Sequence, residues 1–361
     1  MLGNLLVVML VQWDSRLHTP MYFFLSNLSG LEICFVSSIV PQMIQDRSGS
    51  VNQTSITQVI LLGLTSHRRT QIALFVVILI AYLFTMLGNL LVLMLVQLDA
   101  RLHTPMYFFL SNLSGLEMSL VSTIVPQMLA HLLEGSGRVS LHRCVAQMYI
   151  AASLGSTEGL LLGVMAYDRY LAICCPLVYA VAMSKGRCIM LATASWACGF
   201  LFPVLFTHPT LKLPFCGPNH INHFSCNPLV LLRLVCADIR QVEVIIFVVS
   251  IIVFLAPLSA ILTSYGLILM SVVRMRSGTG RSKAFSTCTS HLIVVTLFYG
   301  SLIALFLRPQ SGPDSGHEKH VSIFYVVITP LLNPVIYTLR NKDVHAAVAK
   351  VICRRAAEPK G

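Results

Sequence analysis

Seven windows of the chain run almost free of charge: Ile72 to Val96, Pro105 to Leu133, Leu141 to Ile173, Cys188 to Phe206, Val242 to Val273, His291 to Leu307 and Val321 to Leu339. Windows of about 18 to 30 residues, rising about 1.5 Å per residue, are long enough to cross roughly 30 Å of hydrocarbon. Lipid offers backbone groups no partner, so each such window must be a helix. The pattern predicts an all-α membrane protein, a seven-transmembrane helix bundle. After Tyr337 the pattern turns amphipathic, with Val344, Ala347, Val348, Val351 and Ile352 at helical spacing and Lys342, Lys350, Arg354 and Arg355 opposite. That is the signature of an amphipathic C-terminal helix lying along the inner leaflet, where Cys353 is either a palmitoylation site or an unmodified thiol.

Composition strengthens the membrane reading. Hydrophobic residues make up 56% of the 361 and charged residues 11%, against about a quarter charged in soluble proteins, and mean hydropathy is +0.78. This excludes a soluble enzyme. The net charge of +11 lies in short gaps between apolar windows rather than on one face, so no nucleic-acid partner is implied. With the C-terminus in the cytosol, 14 of the 25 Lys and Arg residues fall inside, as the positive-inside rule expects. The sequon at Asn52 then lies outside, where glycosylation occurs.

The first residues lack a basic stretch followed by a small-residue cleavage site, so no removable signal peptide is expected. Instead, Met1 to Met43 repeats Met86 to Met128, with 36 of 43 positions identical. Solenoid repeats recur at least three times; this one occurs twice. Residues 1–48 therefore read as a partial duplication of residues 86–130, an appendage or a gene-model error, with one stretch, Met21 to Ile44, long enough to cross the membrane. The expected organisation continues with an extracellular N-terminus at 49–71, the seven-transmembrane domain at 72–340 and a cytoplasmic tail at 341–361.

Ionisable groups inside a bilayer are costly and need an account. Glu117 lies twelve residues beyond Pro105 and Glu158 eleven before Arg169, about 18 and 16 Å from the same membrane face. At one depth, the two carboxylates either share a proton or hold a cation, or else they are protonated separately against other helices. Asp168 and Arg169 close the third window as a boundary ion pair or a switch. Pro334, within Asn333 to Tyr337, makes a hinge near the end of the last window.

Cys144, Cys216, Cys226 and Cys236 all fall on the outer side. Two disulfides are expected, with three pairings open. The competing reading is a zinc site at Cys216, His220, His223 and Cys226.

Several long motifs then point one way. They are Gly88-Asn89, LHTPMYFFLSNLS from Leu102, MAYDRYLAICCPLVY from Met165, Ser264-Tyr265, KAFSTCTSHL from Lys283 and PLLNPVIYTLRNKDV from Pro330, preceded by NQTSITQVILLGLT from Asn52. Over about residues 50 to 355 the chain resembles the olfactory (odorant) receptors, within the rhodopsin-like G-protein-coupled receptors. The duplicated head departs from the family, as does Asn227, which stands where an acid is usual.

That resemblance implies a receptor without catalytic activity. A small, volatile, largely apolar odorant would bind inside the bundle and activate a heterotrimeric G-protein of the stimulatory olfactory type, raising cyclic AMP at the plasma membrane. It implies disulfides Cys144–Cys226 and Cys216–Cys236, glycan on Asn52, and a sodium ion at Glu117 and Glu158 as the candidate cofactor. Activation would run through Asp168, Arg169, Tyr170, Tyr265, Asn333, Pro334 and Tyr337. The odorant would be lined by Ala151, Ala152, Gly155 and Ser156, by Ile246, Val249, Ser250 and Val253, and by Tyr299, Leu302, Ile303 and Phe306. The alternatives are a receptor-derived chain disabled by its head and a transporter; a transporter would show inverted repeats, whereas the repeat here is direct. A membrane enzyme would show clustered nucleophile geometry, which the sequence lacks.

Overall fold

The computed structural model describes residues 56–135, 137–216, 219–275, 278–306 and 317–339. The duplicated head, Asn52 and the amphipathic tail with Cys353 lie outside the described residues. Among those described, seven helices are long and apolar enough to cross a membrane: Arg68–Leu98, Pro105–Glu134, Leu141–Cys174, Lys185–Leu211, Arg240–Arg274, Cys288–Leu305 and Lys319–Tyr337. They are termed the first to seventh spans below.

Each expected window became a helix, and the ends differ for local reasons. The sixth helix begins at Gly278, well before the apolar run, because hydropathy marks only the part of a helix that lipid must cover. The fourth span breaks after Leu201 and resumes at Val204; Pro203 at the break has no N–H to continue the ladder. The second span starts with Pro105 in its first turn and ends at Gly135 with φ 85°, a left-handed C-terminal position suited to glycine.

The third span is the axle, packed against the second, fourth, fifth and sixth. Its apolar window is 67% buried, against 28% for the first, fourth and fifth, whose outward Leu, Ile, Val and Phe side chains form the lipid-facing belt. Close helix approach is set by small residues, as expected where lipid supplies no hydrophobic drive between helices. A Cβ on Gly199 would collide with Thr157 of the third span, and one on Gly88 would stand 3.1 Å from Pro334 of the seventh.

One end of the bundle carries a three-stranded sheet that hydropathy did not predict. Strand β1 (Gln58–Leu61) lies between β2 (Gly137–Ser140), antiparallel, and β3 (His220–Ile221), parallel. Val59 and Leu61 turn inward and Val139 lies opposite Val59, forming a small second core with Phe215, Ile221 and Leu234 beneath the loop that joins the fourth and fifth spans.

Candidate functional site

The sheet end is stitched by two disulfides, Cys144–Cys226 and Cys216–Cys236, the pairing that the family resemblance implies. The zinc alternative fails, since both of its cysteines are oxidised, and no group of three metal-ligating side chains occurs among the described residues. Beside the first disulfide, Gln147 donates to the Thr123 carbonyl at 3.0 Å and accepts from the Cys226 N–H at 3.0 Å. The loop's far side is held by His223, whose Nε2 lies 3.3 Å from Ser322 Oγ on the seventh span, while its Nδ1 meets Ser225. Lys319 donates to the Gly63 carbonyl at 2.8 Å. Burial pushes the His223 imidazole down to about 4, so it is neutral at ordinary pH. Asn227 caps the short helix Pro228–Leu232, its Oδ1 accepting from the Val230 N–H at 2.9 Å. An acid would cap equally well, so the departure at this position leaves the local contact intact.

Below this lid stand the residues expected around the odorant. Gly155, Ser156, Ile246, Val249, Val253 and Tyr299 are buried; Ala151, Ala152, Ser250 and Leu302 are partly buried. Ala152, Ile246, Val249 and Val253 share one apolar cluster, and Ala151, Tyr299 and Leu302 join the main core. Ile303 is 44% exposed and belongs to neither cluster, so the structure does not bring it to the others. Phe306 ends the sixth helix; its side chain lies outside the described residues.

Deeper, the two glutamates are 0% and 1% exposed. Asn333 of the seventh span donates to Glu117 Oε1, and Tyr325 donates to Glu158 Oε2 at 3.4 Å. Glu117 Oε2, Asn333 Oδ1 and the Tyr337 hydroxyl are buried without a hydrogen-bond partner. Desolvated oxygens beside two carboxylates are the donor set that a hard monovalent cation takes, so the residues fit the expected ion.

At the opposite end, Asp168 is buried and holds Arg169 in an ion pair. Tyr179, on the short helix Pro176–Ala182, donates to Asp168 Oδ1 at 2.9 Å. Burial, reinforced by the neighbouring Asp168, pushes the Tyr179 phenol upward and keeps it a donor. Tyr170 lies beside Cys175. Tyr265 of the fifth span bonds His291 Nδ1 of the sixth at 2.8 Å, with the rings stacked. Pro334 is buried against Gly88.

Sequence reasoning passed over Tyr179, His291 and Tyr325. Tyr179 and His291 stand inside the quoted motifs, where their polar side chains beside apolar windows are the signal that marks them. Tyr325 lies within an apolar window, and only the packing shows which way it faces.

The olfactory receptor family model matches residues 78–355. The chain is 46% identical over 304 residues to "Olfactory receptor-like protein OLF3" of Canis lupus familiaris, covering 84% of this chain and 96% of that protein. It is 48% identical over 304 residues to "Olfactory receptor 2D2" of Homo sapiens, covering 84% and 98%. In fold it is similar to squid rhodopsin, with TM-score 0.65, 17% identity, and 81% of this chain and 87% of that one covered. With seven spans, a rhodopsin-like architecture and these relatives, the chain belongs to the olfactory receptor family of G-protein-coupled receptors and is a multi-pass membrane protein, not an enzyme.

Proposed function

We propose that the protein is an odorant-activated receptor of the plasma membrane, with its sheet end extracellular, Asn52 glycosylated and its Arg169 end in the cytosol. A small, largely apolar molecule binds among the third, fifth and sixth spans, held mostly by burial and by one or two hydrogen bonds. Its differential affinity for a minor conformer shifts the population. In that conformer Arg169 leaves Asp168, the fifth and sixth spans part at Tyr265 and His291, and a cleft opens for a stimulatory G-protein that raises cyclic AMP. In the resting state Glu117, Glu158 and Asn333 would hold a sodium ion, which would supply the positive charge that two neighbouring carboxylates need.

The observation that carries this reading is the closed arrangement at the Arg169 end. Asp168 is clamped by both Arg169 and Tyr179, far from the disulfide-tied lid. Arg169→Ala is expected to abolish odorant-evoked cyclic AMP while leaving surface staining within about twofold of the unmodified chain. Unchanged cyclic AMP at equal surface staining would sink the switch role.

A further inference from the structure

Two glycines one turn apart on the third span make slots for tyrosine hydroxyls from across the bundle. A Cβ on Gly155 would stand 2.8 Å from the Tyr325 hydroxyl, and one on Gly159 would stand 3.4 Å from that of Tyr299. Tyr299 donates to the Gly159 carbonyl at 3.4 Å, an uncharged backbone acceptor, so it has no link to an ionisable group. Tyr325 instead donates to the Glu158 carboxylate at 3.4 Å. It therefore touches two things at once: the glycine wall of the odorant site proposed above, and the buried acid beneath it.

The surroundings fix the Tyr325 ring while leaving its hydroxyl exchangeable. Phe298 meets it edge-on, with ring centroids 5.9 Å apart, and Phe298 packs edge-on against Tyr299 at 4.9 Å. Tyr325 sits in the π-helical turn Phe324–Ile328, a departure from the regular ladder that often marks functional positions. A hydrogen bond of 3.4 Å is beyond the usual range of about 2.5 to 3.0 Å for O–H···O, so replacing the carboxylate by a better-placed acceptor costs little. A phenol has one proton to give; what it gives to a ligand, Glu158 loses.

We infer that Tyr325 is the polar reader of the odorant site and its link to the carboxylate pair: an odorant oxygen seated beside Gly155 accepts the Tyr325 proton in place of Glu158. The ligand class this selects is small aldehydes, ketones and esters, in preference to hydrocarbons of the same shape. Binding is thereby felt at Glu158, which gives up a hydrogen bond as the ligand gains one. The inference rests on the odorant-binding reading and adds to it a recognition residue and a ligand chemistry.

The test uses the full chain in cells and a panel of matched probes, straight-chain ketones and aldehydes against the alkenes of equal length, with cyclic AMP as readout and surface staining to normalise it. The unmodified receptor should favour the oxygenated member of at least one pair by about tenfold in potency, the worth of one hydrogen bond. Tyr325→Phe should abolish that preference by weakening the oxygenated probe while leaving the alkene unchanged. A merely structural role would weaken both alike. Gly155→Ala, which crowds the hydroxyl out of its slot, should abolish the preference too, and it provides an independent reading if Tyr325→Phe is poorly displayed. A preference that survives in either displayed variant overturns the inference, as does an unmodified receptor that responds without any preference. An unmodified receptor that is displayed but silent to every probe would instead remove the odorant reading, and this inference with it.

Discussion

His223 shows how much a single buried ring contributes to the lid. Its neutral imidazole ties the loop to Ser322, and burial holds its pKa at about 4, against an ordinary 6.5. Between those values the unfolded chain takes up a proton that the folded one refuses, so stability falls as pH drops from 6.5 towards 4. The full loss from this group is about 3 kcal/mol. Thermal melts of the solubilised receptor at pH 7.5 and 4.5 should show a smaller pH-dependent drop in His223→Gln than in the unmodified chain; equal drops would mean that the ring does not titrate this way. The Cys144–Cys226 disulfide gives a second residue-level expectation. Cys144→Ser, Cys226→Ser and the double variant should lose surface display to the same extent, because all three remove one and the same bond. A double variant much worse than either single one would contradict the pairing. Both cysteines were visible in the sequence as outer-side thiols, but spacing left three pairings open. Glu117 and Glu158 were legible as isolated charges at one depth. Their partners Asn333 and Tyr325 come from the seventh span, and counting residues along one helix cannot supply a neighbour from another.

Among the elements, the spans were legible because lipid allows one backbone solution to a long apolar run. The sheet was not. Its strands are four, four and two residues long, too short for alternation to stand out, and they pair across distances fixed by the bundle and the disulfides. The contact between the third and fourth spans was equally hidden: it depends on Gly199 facing Thr157, a match of small surfaces that hydropathy does not register. Gly199→Val should separate these spans at a cost of about 1 to 3 kcal/mol, the usual penalty of overpacking. This is checked as a lower melting temperature of the solubilised receptor. An unchanged melting temperature would show that the two helices do not approach as closely as described.

For the whole molecule, the bundle has two unlike ends. One is capped by a sheet, two disulfides and a neutral histidine; the other presents Asp168, Arg169, Tyr179 and the Tyr265–His291 pair. Between them runs a column of polar groups, from the partly buried Tyr325 through the buried Glu158 and Glu117 to Asn333 and Tyr337. The path between the two ends is thus lined by polar contacts rather than by uniform apolar packing. The distribution of basic residues assigns the ends to the two sides of the membrane, and the proposed direction of signalling depends on that assignment. It is tested most directly by an epitope tag placed after Gly361 and stained in intact and in permeabilised cells. The tag is expected to be stained only after permeabilisation. Staining of the tag on intact cells would place the Arg169 end outside and contradict the proposed orientation.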